Sequence, residues 1–288
     1  MSNTTTIVTN PDVRHDYVII MEGRICNPNG DPNAGNAPRQ LPNSHIYATP
    51  TSMSNRINQT AELLYGVSNL YHSGNNLDNI QQQYMKDKKT PADLMMDYWD
   101  RRGNGGLFAS FGKDKKEVID TGFRGIYRLY PSVSINIPSL IEQAVTSATT
   151  NSKGNRTMGN ASYIDWVITK GTGTFNACIN KQRNNIIDAE YMGQWLICLW
   201  HHAMQTASLQ RGEWDLVECV IATHSTPYGN AQLSKISNLV SVNVDEQTQT
   251  HSIDLGTTPE GVTLTRLSDA IAGLQSKYPP IVNKLAVQ

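Results

Sequence analysis

Asn27, Asn29, Asp31 and Asn33 occupy alternate positions in CNPNGDPNAGNAPRQLPNS (Cys26–Ser44), and such a row of side-chain oxygens could surround a hard cation. An EF-hand loop needs more carboxylates and a Glu at its twelfth position, which counted from Asn27 is Pro38, so calcium is rejected. Asp31 is the only carboxylate of the stretch and a candidate catalytic acid, but Asp before Pro is also an ordinary turn initiator, which is the favoured reading. Cys198, His201 and His202 in CLWHH fall within about one helical turn and could supply two or three zinc ligands. No second pair stands at metal spacing, so a buried Cys and helix-end histidines fit better. No metal and no cofactor is expected.

The loop itself asks for an explanation. Two glycines, four prolines and five asparagines follow a strand-like run, so the segment is expected to form neither helix nor ladder and to take a shape set by turns. KGTGTFNACI from Lys170 is similar to a degenerate RNA-recognition motif, with Thr172 and Thr174 where that motif carries stacking aromatics. A glycine-bearing strand with a bulge is the better reading there.

The elements that must position these residues can be read from periodicity. His15–Ile25 is apolar and β-branched enough for a buried strand. Thr49 and Pro50 open a helix that closes near Gly66, with Met53, Ile57 and Leu64 on one face. Ser68–Gln83 is polar, Thr90–Arg102 reads as a second capped helix, and Gly112–Asp120 as an exposed turn. Arg124–Ile137 predicts a long strand kinked at Pro131. Ala144–Ser162 is small, polar and flexible in composition, and Tyr163–Ile179 returns to strand. A helix starts at Asp188 as N-cap, with Tyr191, Met192, Trp195, Leu196 and Leu199 at helical spacing. Glu213–His224 is a further strand and Gly261–Leu274 a strand-to-helix element. The order, strand-helix-strand-strand-helix-strand, predicts an α+β fold of the ferredoxin-like or RNA-recognition-like type, βαββαβ.

Bulk properties exclude some classes. The 288 residues suit one large domain or two small ones, with 39% hydrophobic and 17% charged residues and a mean hydropathy of −0.42. No apolar run reaches the ~18 residues of a membrane span. MSNTTTIVTNPD lacks a basic and then apolar signal pattern, so residues 1–13 are expected to be a disordered leader. Four scattered cysteines without a CxxC pair favour reduced thiols and a cytoplasmic setting. Net charge is −1, but Thr149–Ile187 holds Lys153, Arg156, Lys170, Lys181 and Arg183 against Asp165 alone. Ser241–Glu260 holds Asp245, Glu246, Asp254 and Glu260 with no Lys or Arg. Such separation suits a chain that offers opposite faces to two partners or to copies of itself.

NPNGDPNAGNAPR (Asn27–Arg39), FRGIYRL at Phe123, NRTMG at Asn155, GNA at Gly229 and PEGVTLTRL at Pro259 together resemble the Cas-seven backbone subunits of type I CRISPR–Cas Cascade complexes, subtype I-C above all. The matches span Asp16 to Leu267. Where that family carries a basic cluster on the helix after the loop, this chain has Ser54, Asn55 and Asn58 and keeps Arg56. The resemblance implies one RNA-recognition-like palm over residues 14–288, with a helical finger insertion at about 65–122 and a thumb insertion at about 138–162. It also implies a non-enzymatic subunit that polymerises along CRISPR guide RNA and presents it to target DNA. Other Cascade subunits and neighbouring copies would be its partners, and no membrane. Type III relatives imply an alternative, target-RNA cleavage by a loop aspartate, here Asp31. The expected RNA contacts are Asn27, Asn29, Arg39, Arg56, Arg124, Lys153, Arg156, Thr157 and Met158. Met158, apolar among polar neighbours, is expected either to wedge between bases or to anchor its loop onto the palm.

Overall fold

The computed structural model describes residues 3–71, 76–108, 122–150, 156–206 and 212–281. The chain begins with α1 (Asn3–Val8) and β1 (His15–Cys26), then the short strands β2 (Gly30–Asp31), β3 (Ala37–Pro38) and β4 (Tyr47–Ala48). Helices α2 (Pro50–Tyr65), α3 (Leu77–Lys86), α4 (Pro91–Asp97) and α5 (Trp99–Asn104) follow. Next come β5 (Gly105–Leu107), β6 (Gly122–Arg124), β7 (Tyr127–Leu129), β8 (Ser132–Ser134), β9 (Leu140–Thr150) and β10 (Arg156–Phe175). The last part holds α6 (Asn185–Thr206), β11 (Glu213–His224), α7 (Leu233–Leu239), β12 (Val240–Asp245), β13 (Thr250–Leu255), β14 (Val262–Arg266) and α8 (Leu267–Lys277).

One antiparallel sheet organises these elements, in the order β14-β11-β1-β10-β8-β4, with β7 and β9 also paired to β10. The architecture is α+β. β1 reads as an unbroken apolar run because both of its faces are covered. Tyr17, Ile19 and Met21 face a core shared with Ile57 of α2, Trp195 of α6 and Leu274 of α8. Val18 and Ile20 face the other way, with Trp166, Ile168 and Val220, under Ile236 of α7 and Val240 of β12. A third cluster, Leu70, Leu94, Met95 and Phe108, belongs to the helical segment between α2 and β5.

Local chemistry sets the boundaries. Thr49 Oγ1 caps α2 by accepting from Ser52 N, Pro50 pre-sets its first turn, and Gly66 closes it in the left-handed region. Pro131 interrupts the strand read over Arg124–Ile137, leaving β7 and β8 as separate pieces that both pair with β10.

Several expectations need correction. The leader contains α1, packed near α8, with Val8 fully buried, so this segment is anchored by apolar burial. The helix over Thr90–Arg102 breaks at Tyr98, whose extended backbone separates α4 from α5. Asp188 does not cap α6. Asn184 does, accepting from the N–H groups of Ile186 and Ile187, while Asp188 is buried and accepts from Arg102 Nε and Nη2 at 2.9 and 2.6 Å. The described part of Ala144–Ser162 is a β9–β10 ladder held by backbone pairing. Gly112–Asp120 lies outside the described residues.

Candidate nucleic-acid interface

The Asn27–Arg39 loop leaves the Cys26 end of β1 and folds into the β2–β3 miniature hairpin. Its polar residues mostly bond inward. Asn27 is 7% exposed, and its Nδ2 donates to the carbonyls of Asn36 and Ser162 at 2.8 and 3.3 Å. Asn29 Oδ1 accepts from both N and Oγ1 of Thr49, at 2.9 and 2.8 Å, which ties the loop to the first turn of α2. Asp31 Oδ1 accepts from Asn33 N at 3.0 Å and caps a short 3-10 turn, the turn role read from Asp-Pro. Its Oδ2 lies 3.8 Å from Arg39 Nη1, with both side chains part exposed.

Arg56, expected at a phosphate, is instead buried at 3% exposure. Its Nη2 donates to the Pro28 carbonyl at 3.1 Å, and its guanidinium lies 4.8 Å from the centre of the Trp214 ring. The inner face of α2 packs toward Trp214, so an arginine there points into the protein. Asn27, Asn29 and Arg56 therefore shape the loop, and Arg39 is the basic side chain the loop offers to solvent.

The loop adjoins the root of the β9–β10 hairpin, because Asn27 bonds the Ser162 carbonyl of β10. The hairpin runs from the Ile164–Leu140 pair out to the Arg156–Thr150 pair, eight residues or roughly 26 Å of strand. Arg156, Thr157 and Met158 thus sit at its far end. Met158 pairs with Thr146. Lys153 lies outside the described residues.

Arg124 is not with the other expected contacts. It belongs to β6, near the His15 end of β1, whereas the loop leaves the Cys26 end; the strand between them spans about 36 Å. There Arg124, Arg128 and Arg14 line a cleft of about 490 Å³ together with Tyr130 and Tyr228. Arg14, Arg128, Tyr130 and Tyr228 escaped sequence reading. The available signals were the FRGIYRL motif, which holds Arg128 as well as Arg124, and the GNA motif, which sits in the turn carrying Tyr228.

That turn is held by a buried polar network. Asp16 is fully buried and takes Arg14 Nε and Nη2 at 2.9 and 2.7 Å, Thr174 Oγ1 at 2.9 Å and His224 Nε2 at 3.2 Å. Burial alone would raise its pKa, but the bonds from His224 and Arg14 hold it below the usual carboxylate value. Asn230 N donates to His224 Nδ1 at 2.8 Å, so Nε2 carries the proton toward Asp16 and neither nitrogen is open to a substrate. Gly229 lies at φ +84, and a Cβ there would meet Arg14 Nη1 at 2.8 Å. The GNA motif is therefore a packing requirement of the turn.

Other candidates fall away. The sheet face opposite α2 and α6 is covered by α7 and β12–β13, and Lys170 Nζ donates to the Ser237 and Val240 carbonyls. Bases therefore have no open sheet on which to stack beside Thr172. Cys198 is buried, His201 faces Gln275 and His202 faces the Leu199 carbonyl. Among the described residues, no three His, Cys, Asp or Glu side chains gather where they could hold a metal, and no helix is long and apolar enough to cross a membrane.

Two solved structures are similar at low identity. One, a "CRISPR RNA-guided surveillance complex", aligns at 10% identity over 73% of this chain and 69% of that chain, with a TM-score of 0.40. Another, a "CRISPR RNA-guided surveillance complex, pre-nicking", aligns at 12% identity over 73% of this chain and 76% of that one, with a TM-score of 0.41. No curated protein matches in sequence. The profile of CRISPR-associated protein Cas7 matches residues 13–256, most of the main sheet together with the loop and the long hairpin, and the chain belongs to that family.

Proposed function

We propose that this protein is a non-enzymatic backbone subunit of a type I, subtype I-C-like Cascade effector in the cytoplasm. It holds CRISPR guide RNA by the sugar–phosphate backbone, in a row of identical copies beside other Cascade subunits, and presents the bases to target DNA. The observation that carries this reading is the Cas7 family match over residues 13–256.

The fold supports it. Strands β11, β1, β10 and β8, with α2 and α6 on one face, follow the 4-1-3-2 order of a ferredoxin-like palm. The helical segment between α2 and β6 serves as fingers and the β9–β10 hairpin as thumb. Since the second sheet face is covered, contact falls to the rim: Arg39 in the loop and Arg156, Thr157 and Met158 far along the hairpin. Backbone contacts of this kind fix register without reading sequence, which is left to base pairing. The alternative, target-RNA cleavage through Asp31, is disfavoured because that carboxylate is engaged by Asn33 N and faces Arg39.

The test is purification after coexpression with a CRISPR array. A bound RNA of uniform length, and a particle mass that scales with guide length, is expected. Protein free of RNA, with a mass indifferent to added guide, would refute the reading.

A further inference from the structure

The cleft at the His15 end of β1 is far from the loop and the hairpin, yet it is built for an anion. Arg124 and Arg128 are exposed, and among the described residues neither side chain has a hydrogen-bond or ion-pair partner. Arg14 closes the other side, with its charge already matched by Asp16. Thr174 and Asn176 line the cleft between the arginines, beside Cys178, Ile179 and Pro227. At about 490 Å³ the volume is within the ~300–1,000 Å³ of small-ligand sites.

Two phenol rings stand at the rim. Tyr228 is 89% exposed and Tyr130 46%. The backbone around Tyr228 is fixed on several sides: Asn176 Nδ2 donates to the Pro227 carbonyl at 2.8 Å, Arg14 Nη1 to the Tyr228 carbonyl at 3.3 Å, and Asn230 bonds His224 and Ser225. A ring on so rigid a support loses little freedom when something stacks on it.

We infer that this cleft is a second nucleotide subsite, taking a phosphate of a single strand between Arg124 and Arg128 and the adjoining base on Tyr228. The inference rests on the reading above that the chain binds RNA, and adds a contact about 36 Å along β1 from the loop. Guanidinium forks match phosphate oxygens, and an aromatic face accepts any base, as a guide of arbitrary sequence requires. The same charges would suit a carboxylate-rich segment such as Asp245–Glu246 of a second copy. The pairing of two exposed guanidiniums with two exposed aromatic faces favours the nucleotide, because an acidic peptide would use the charges and leave the rings without a role.

The experiment measures binding of fluorescein-labelled oligouridylate across a salt series. The proteins are wild type, the double variant Arg124→Ala/Arg128→Ala, Tyr228→Ala and Tyr228→Phe. None of these side chains bonds another described residue, so melting temperatures should match wild type. The arginine pair should lower the slope of log affinity against log salt by about 1.4, twice the ~0.7 of one single-strand contact. Tyr228→Ala should weaken binding by roughly tenfold or more, and Tyr228→Phe should not. Wild-type affinity and slope in all variants would overturn the subsite and leave the proposed function standing. Failure of the wild type to bind RNA would overturn both. Unchanged RNA affinity with lost self-association would make the cleft a protein contact and also overturn the subsite.

Discussion

Arg56 Nη2 reaches back 28 residues to the Pro28 carbonyl at 3.1 Å, joining α2 to the start of the Asn27–Arg39 loop from inside the protein. With the Trp214 ring against the same guanidinium, Arg56 supports the loop structurally. Arg56→Ala should lower stability to urea by about 2–4 kcal/mol, from the lost cation–π contact and the lost charged bond to the Pro28 carbonyl, which keeps a 3.4 Å bond from Ser52 Oγ. Arg39→Ala should leave stability nearly unchanged and reduce the salt slope of RNA binding by about 0.7. A stability loss confined to Arg39→Ala with a lower salt slope confined to Arg56→Ala would reverse the two roles.

Asn29 works as an acceptor. Its Oδ1 takes two hydrogen bonds from Thr49, so Asn29→Asp keeps both and should hold wild-type stability within about 0.5 kcal/mol. Asn29→Ala removes both next to the α2 N-cap and should cost about 1–2 kcal/mol. Urea denaturation of the pair checks this, and equal losses in both variants would show that the Nδ2 group matters instead.

Which features could be read from the sequence follows from where their stabilisation comes from. α2 was legible because its signals are local: Thr49, Pro50, an apolar face and Gly66. β1 was legible because burial on both faces leaves a continuous apolar run. The β9–β10 hairpin was not, since its small polar residues carry no hydrophobic period and pair through the backbone. Nor was α3, whose one buried residue is Gln81. Arg56 misled because a lone arginine in a polar helix looks exposed, and only packing against Trp214 of β11 shows otherwise. The Arg14–Arg124–Tyr228 cleft joins residues over a hundred positions apart through the antiparallel register of β1, β10 and β11, which no linear motif encodes.

His15 sets an acid limit on stability. It is fully buried, with Nε2 on the Asn10 carbonyl and Nδ1 on Thr223 Oγ1, and burial pushes its pKa from 6.5 to about 4. Burial does the same to His202. A lowered histidine pKa means that the unfolded chain binds more protons between 6.5 and about 4. Stability is therefore full above 6.5 and falls as the pH drops through that window, by on the order of 3 kcal/mol for each histidine. Urea midpoints across the window should fall steeply for wild type and less for His15→Gln. A variant with the same slope as wild type would remove His15 from the explanation.

Asp31 should prove to be a shaping residue and no catalyst. One of its oxygens caps the turn over Pro32–Ala34, and the other faces Arg39. A metal-assisted phosphodiester cut needs converging ligands or a positioned base, and among the described residues no such group of His, Cys, Asp or Glu gathers. Guide-loaded assemblies with magnesium or manganese should leave a complementary target RNA intact. Asp31→Ala should lose the turn cap, at about 1 kcal/mol of stability, and Asp31→Asn, which keeps an acceptor, should lose less. Target-RNA cleavage by wild type that vanishes in both variants would show that the carboxylate acts chemically.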